Sequence, residues 1–199
     1  MGNTNSKLQR FIGPGVLIFY IIAISYVYVM DKTYGTFDIE ATVEKERLRL
    51  VPNQEIMRFM SKNPFGLYDI LNEYDSISEQ EVYGVLTMPD SYDGKPVPLI
   101  IAHAGSGNWS DHHQAYIQRY NDSGFATLKI HSFDSRGVSS TVGEQISCTT
   151  AMMILDSYKA LEKISSDRRI DSDRVGITGW SLGGGVAPVS YTHLRAHET

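Results

Sequence analysis

Cysteine is nearly absent. Cys148 stands alone in 199 residues, which excludes an intramolecular disulfide framework. Its place in a helix-like stretch points to packing rather than to a catalytic thiol. There is no surplus of positive charge either: 18 lysines and arginines face 23 aspartates and glutamates, a net charge of −5. Nucleic acid, which needs a basic footprint, is therefore not an expected partner. Internal repeats and low-complexity blocks are missing, which removes solenoids and biased disordered tracts. What remains is 42% hydrophobic and 21% charged, the composition of a globular domain of ordinary size.

One long apolar run is present, from Phe11 to Met30, and its length suits a helix that spans a bilayer. Lys7 and Arg10 precede it, and positive charge is retained on the cytoplasmic side. The reading is a signal anchor. Residues 1–10 form a cytoplasmic tail, 11–30 cross the membrane, and everything after Asp31 is periplasmic or otherwise extracytoplasmic. A cleaved signal peptide is the rival, since Ala23-Ile24-Ser25 is a passable small-x-small site. The apolar run continues past that site through Tyr26 to Met30, which favours the anchor. A buried soluble helix fits less well with Gly13-Pro14-Gly15 and the aromatic content. The start Met1-Gly2-Asn3-Thr4-Asn5-Ser6 also fits an N-myristoylation pattern, which a spanning helix makes redundant.

Residues 31–80 read as a connector that partly covers the domain behind them. Phe37, Ile39, Ala41 and Val43 alternate with polar residues, which predicts a strand. Glu55 to Met60 and Leu67 to Glu73 read as short helices around a turn at Asn63-Pro64-Phe65-Gly66. From Glu81 the pattern sharpens. Glu81 to Met88 predicts a strand, closed by Pro89-Asp90 and Asp93-Gly94. Leu99-Ile100-Ile101-Ala102 is a continuous apolar run, as in a strand covered on both faces, and ends in His103-Ala104-Gly105-Ser106-Gly107. Phe125 to Ile130 is a second such strand, leading into His131-Ser132-Phe133-Asp134-Ser135-Arg136-Gly137. Ile146, Met153, Ile154, Tyr158, Leu161 and Ile164 recur at helical spacing and predict a helix from about Gln145 to Ile164. Met153 and Tyr158 are core residues in that reading. The order is that of an α/β domain with a mainly parallel sheet.

The chemistry concentrates at Val175-Gly176-Ile177-Thr178-Gly179-Trp180-Ser181-Leu182-Gly183-Gly184-Gly185. This is a buried strand, a sharp turn bearing one serine, and the start of a helix. A serine hydroxyl is a weak nucleophile and must be exposed on a turn beside a base. Such a turn brings the residues two before and two after the serine together, so Gly179 and Gly183 remove side chains that would collide. Gly184 and Gly185 are expected to let the helix pack closely. Helix-start N–H groups, beginning with Leu182, would face an oxyanion formed at Ser181. A chance Gly-x-Ser-x-Gly is the competing account; the apolar strand before it and the small-residue helix after it argue against chance.

With these residues in hand, the stretch from about Glu81 to Ala187 resembles the α/β-hydrolase superfamily, and within it the dienelactone-hydrolase-like group. The marks are the His103 to Gly107 strand end, the Asp134-Ser135-Arg136-Gly137 loop and the Asp171-x-Asp173-Arg174-Val175 approach to the elbow. Gly-Trp-Ser-x-Gly-Gly is also similar to the catalytic domain of prolyl-oligopeptidase-type peptidases, but no room for their propeller exists before residue 80. The resemblance implies Ser181 as nucleophile and an oxyanion hole from the N–H groups of Leu182 and Gly105. It implies His103 as the residue that orients the oxyanion loop, not as the base. Ala104 replaces the glycine usual after that histidine. No cofactor or metal is implied. In this superfamily the acid and then the histidine follow the serine.

Residues 189–199 resemble an in-frame translation of a transposase-type sequencing adapter. The expectation is that they are non-native, that residues 81–188 are the N-terminal part of the hydrolase domain, and that this part alone is inactive. In the alternative, His193 or His197 completes a triad. Asp111-His112-His113 offers metal-ligand chemistry but reads better as a helix start. His131 ends a strand, where it either faces the site or, the favoured reading, takes a structural hydrogen-bonding role; Asp134 and Arg136 are expected to fix their loop through a charge-assisted bond. The reading is a membrane-anchored serine hydrolase of a small or medium ester, or less readily an amide. A serine peptidase and a non-catalytic binding module on the same fold are the alternatives.

Overall fold

The computed structural model describes residues 37–194, with side chains through 189. The first helix, α1 (Ile39–Arg47), occupies the stretch whose alternation predicts a strand. Local capping overrides the alternation. The Asp38 carboxylate accepts from the N–H groups of Glu40 at 2.9 Å and Ala41 at 3.2 Å, satisfying donors that a helix start leaves orphaned. Glu40 lies in the first turn and Lys45 and Arg47 in the last, matching the helix dipole.

The next expectation also changes. Gln54–Lys62 forms strand β1, not a helix. The apolar residues at 56, 57, 59 and 60 fit both periods. Burial decides, because Met57, Phe59 and Ser61 face inward at every second position. β1 pairs antiparallel with β2 (Glu79–Thr87) over the whole register from Gln54↔Thr87 to Lys62↔Glu79. Between them lie α2 (Leu67–Asn72), as the sequence predicts, and a 3₁₀ turn at Tyr74–Ser76.

The remaining order is β3 (Val97–His103), α3 (Asp111–Asp122), β4 (Ala126–Ile130), a 3₁₀ turn at Asp134–Arg136, α4 (Thr150–Ile164), β5 (Ile170–Gly179) and α5 (Leu182–Leu194). α4 begins five residues later than the periodicity suggests. Thr149 caps it by accepting the Met152 N–H at 3.2 Å, and Ile146 stays outside, 65% exposed. α5 runs through Pro188. The proline ring removes the N–H that would reach the Gly184 carbonyl, and the helix goes on without that bond.

The five strands lie in the order β1-β2-β4-β3-β5. β2 meets β4 antiparallel, while β4, β3 and β5 run parallel. One register row places His103 opposite both Ile130 and Gly179. The carboxyl ends of all three parallel strands therefore stop at one level. Leaving β3, the chain crosses to β4 on one side; leaving β4, it crosses back past β3 to β5 on the other. Right-handed crossovers then put α3 and α4 on opposite faces of the sheet. The switch point is the gap between β3 and β5, where α/β sheets bind their ligands.

One core cluster, including Phe59, Val82, Leu99, Ile101, Leu128 and Ile164, packs the sheet against α4. A second joins Phe133, Cys148, Met152, Met153 and Val186 beneath the elbow, with Leu182 packed against it. Among the described residues no helix is long and apolar enough to cross a membrane. Residues 11–30, the expected span, lie outside the described residues.

Candidate active site

The elbow forms as the spacing predicts. Ser181 has φ 51, a left-handed conformation that costs about 1–3 kcal/mol for a non-glycine residue. It is exposed at the turn between β5 and α5. The strain is imposed by two close approaches. A Cβ on Gly179 would stand 2.1 Å from the Gly183 carbonyl oxygen. A Cβ on Gly183 would stand 2.5 Å from the Ala104 oxygen and 2.6 Å from that of His103. Backbone bonds close the turn: Trp180 N–H donates to His103 O at 3.3 Å, and Gly183 N–H to Trp180 O at 2.9 Å. A Cβ on Gly184 would meet Gly179 O at 3.4 Å, an ordinary contact, and the space beside Gly185 is open within 4 Å. Close packing therefore demands glycine at neither position, unlike Gly179 and Gly183.

These distances yield a paired expectation. Gly179→Ala should cost about 1–3 kcal/mol or more, because backbone and not a mobile side chain blocks the methyl group. Gly185→Ala should leave stability unchanged or raise it by up to about 1 kcal/mol through helix propensity. Urea unfolding of the two variants beside wild type measures both; equal losses would contradict the elbow packing.

Leu182 opens α5, so its N–H has no carbonyl within the helix to take. Gly105 of the β3–α3 loop also meets the elbow: a Cβ there would lie 3.1 Å from Trp180 O and 3.3 Å from Ser181 Cβ. The two expected oxyanion residues thus flank the serine. The Trp180 ring turns toward α3, with its centroid 4.8 Å from that of His113 and 6.0 Å from that of Trp109.

His103 is fully buried. Its Nε2 is 2.7 Å from Ser157 Oγ, and that hydroxyl donates to Met153 O at 3.0 Å, so Nε2–H is the donor to Ser157. Burial pushes its pKa down to about 4, leaving a neutral ring that tethers β3 to α4. That suits the orienting role and disqualifies it as a base. His131 accompanies Asp134, Nδ1 to Oδ2 at 2.7 Å, and stacks on Tyr83. It follows β4, two strands from β5, with its Nδ1 taken by Asp134.

Asp111-His112-His113 is a helix start. Ser110 N–H donates to His113 Nδ1 at 3.1 Å, and no group of three metal-ligating residues occurs among the described residues. Burial pushes the Cys148 thiol up to about 12, as befits a packing residue. The side chain of His193, and His197 altogether, lie outside the described residues.

One expected pairing is not made. Asp134 and Arg136 do not bind each other. Asp134 takes His131 and the Asn108 amide, whereas Arg136 reaches Asp156 of α4 at 2.8 and 3.0 Å. The 3₁₀ turn between them sends the two side chains apart. Asn108, which the sequence reading passed over, sits at φ 65 in the oxyanion loop. An asparagine following Gly107 was the available signal, since asparagine tolerates that conformation.

No protein-family model and no curated protein matches the chain. Solved structures do resemble it. Est1E from Butyrivibrio proteoclasticus is 17% identical, with a TM-score of 0.46, over 59% of this chain and 43% of that one. A hyperthermophilic esterase from the archaeon Pyrobaculum calidifontis is 14% identical, with a TM-score of 0.47, over 80% of this chain and 45% of that one. A dienelactone hydrolase-like promiscuous phosphotriesterase from metagenomic libraries is 16% identical, with a TM-score of 0.43, over 71% and 55%. The chain thus spans about half the length of these structures, and at such identities the likeness concerns the fold alone. The strand order, the parallel strands ending at one level and the left-handed serine between Gly179 and Gly183 make a mixed α/β sheet with flanking helices, an arrangement consistent with the α/β-hydrolase fold.

Proposed function

We propose that this chain carries the nucleophile of a serine hydrolase of the dienelactone-hydrolase-like kind, acting on carboxylic esters of small or medium size. The observation that supports this most is Ser181 itself: an exposed serine held at φ 51 between two glycines that no other residue can replace without collision. In the proposed step Ser181 Oγ attacks the ester carbonyl carbon while a base takes its proton. The carbonyl oxygen becomes an oxyanion facing the N–H groups of Leu182 and Gly105. Collapse of that intermediate expels the alcohol and leaves an acyl-serine, which water then cleaves. Among the described residues His103, His113 and His131 are hydrogen-bonded to groups other than Ser181, so none of these three is held as its base.

The apolar run 11–30 and the basic residues before it support a membrane anchor with this domain on the far side. A reporter fused after Asp31 should be active outside the cytoplasm, and activity confined to the cytoplasm rejects that part. For the chemistry, the whole protein should release p-nitrophenol from p-nitrophenyl acetate in an initial burst equal to one equivalent per Ser181. A strictly linear release at a rate independent of Ser181 would rule out the acyl-enzyme.

A further inference from the structure

Gly105 has no Cβ to restrict its backbone, so contacts from its neighbours must hold it beside Ser181. From the N-terminal side His103 does this, tied to Ser157. From the C-terminal side the tie is Asn108, whose N–H donates to Gly105 O at 2.9 Å. Asn108 itself is left-handed, which is uncommon for a residue with a Cβ. Its side chain holds it there. The Asn108 Nδ2 donates to Asp134 Oδ1 at 2.9 Å, and its Oδ1 accepts the Trp109 N–H at 2.8 Å.

Asp134 is in turn anchored outside the loop. Its other oxygen meets His131 Nδ1 at 2.7 Å, at the end of β4. Burial alone would raise the Asp134 carboxyl; the bonds from His131 and Asn108 outweigh it and hold the group below the usual carboxylate range. The acceptor is therefore charged at neutral pH, and a charged acceptor makes the stronger bond. A line of contacts thus runs from the end of β4 through Asp134 and Asn108 to Gly105, and from there to the nucleophile.

We propose that Asn108, held by Asp134, is a positioning residue for the oxyanion loop, fixing Gly105 so that its N–H faces the oxyanion on Ser181. This rests on the reading of Ser181 as nucleophile. Neither residue touches substrate. Their effect is on the geometry of one donor, and a donor that serves only the oxyanion acts on the transition state more than on the bound ester.

The test uses the whole protein and a p-nitrophenyl ester. Asn108→Gly keeps the left-handed backbone accessible and removes the amide; Asp134→Asn removes the charged acceptor. Each should lower kcat by about 10²-fold, the scale of one oxyanion donor, with KM within about threefold of wild type. The exchange Asn108→Asp with Asp134→Asn restores a donor facing an acceptor and should return kcat to within about tenfold. Single variants that keep wild-type kcat, or that change KM alone, overturn the proposal. If the single variants do not fold, the exchange decides: recovery of kcat supports the clamp, and a folded exchange variant about 10²-fold down overturns it. A wild type active through Ser181 beside indifferent variants sinks this inference alone, whereas a wild type without Ser181-dependent turnover sinks the underlying reading as well.

Discussion

Replacing Ser181 with alanine in the whole protein should lower kcat for ester hydrolysis on the order of 10⁶-fold, as removal of the nucleophile does in serine proteases. Residual turnover should remain about 10³–10⁴-fold above water, because the oxyanion donors and the binding surface survive. The fold should survive too. Ser181 is exposed, and among the described residues its side chain makes no hydrogen bond, so its removal leaves no buried polar group unpaired. Alanine carries the same Cβ at φ 51, so the strain of the turn should be unchanged. The measurement is kcat on a p-nitrophenyl ester alongside a urea unfolding curve. Activity within tenfold of wild type would show that another residue attacks the ester.

The largest effect on stability should come from Asp156, which is 0% exposed on α4. It accepts four hydrogen bonds, from Ser61 Oγ at 2.6 Å, Ser132 Oγ at 2.7 Å and Arg136 at 2.8 and 3.0 Å. These bonds tie β1, the loop after β4 and α4 together on one carboxylate. Arg136 also donates to Asn63 Oδ1 at 2.8 Å and to Ser132 O at 2.9 Å, and its side chain is only 4% exposed. Asp156→Ala strands that guanidinium and should cost about 3–5 kcal/mol. Against a typical net stability of about 5–15 kcal/mol, that approaches unfolding. The pair replaced together, Arg136→Met with Asp156→Leu, should cost less than Asp156→Ala alone, because no charge is left unpaired. A double variant that is less stable than the single one contradicts this account of the network.

Where the sequence was legible, one period or one steric demand dominated. The runs at 99–102 and 125–130 could only be strands buried on both faces, and the glycines at 179 and 183 announced their mutual contact. Where two signals competed, it misled. Met57, Phe59 and Ser61 face inward at period two, but Ile56 and Met60 add apolar positions at helical spacing, so β1 read as a helix. The alternation from Phe37 to Val43 was real but weaker than the Asp38 cap. Side-chain pairing across elements was not legible at all. Arg136 chose Asp156, twenty residues on, over Asp134, two residues back, because the turn between them decides direction and the sequence carries no such geometry. Asn108 was overlooked for the same reason: its partner lies 26 positions away.

The central claim is that Ser181 is the reacting atom's residue, and one measurement addresses it directly. The whole protein is treated with a fluorophosphonate, digested, and its peptides mapped by mass spectrometry. This account predicts one phosphonyl group per chain, on the peptide bearing Ser181, and none in Ser181→Ala. A stoichiometric adduct on another residue, or an unlabelled Ser181 in protein that still hydrolyses esters, would contradict it.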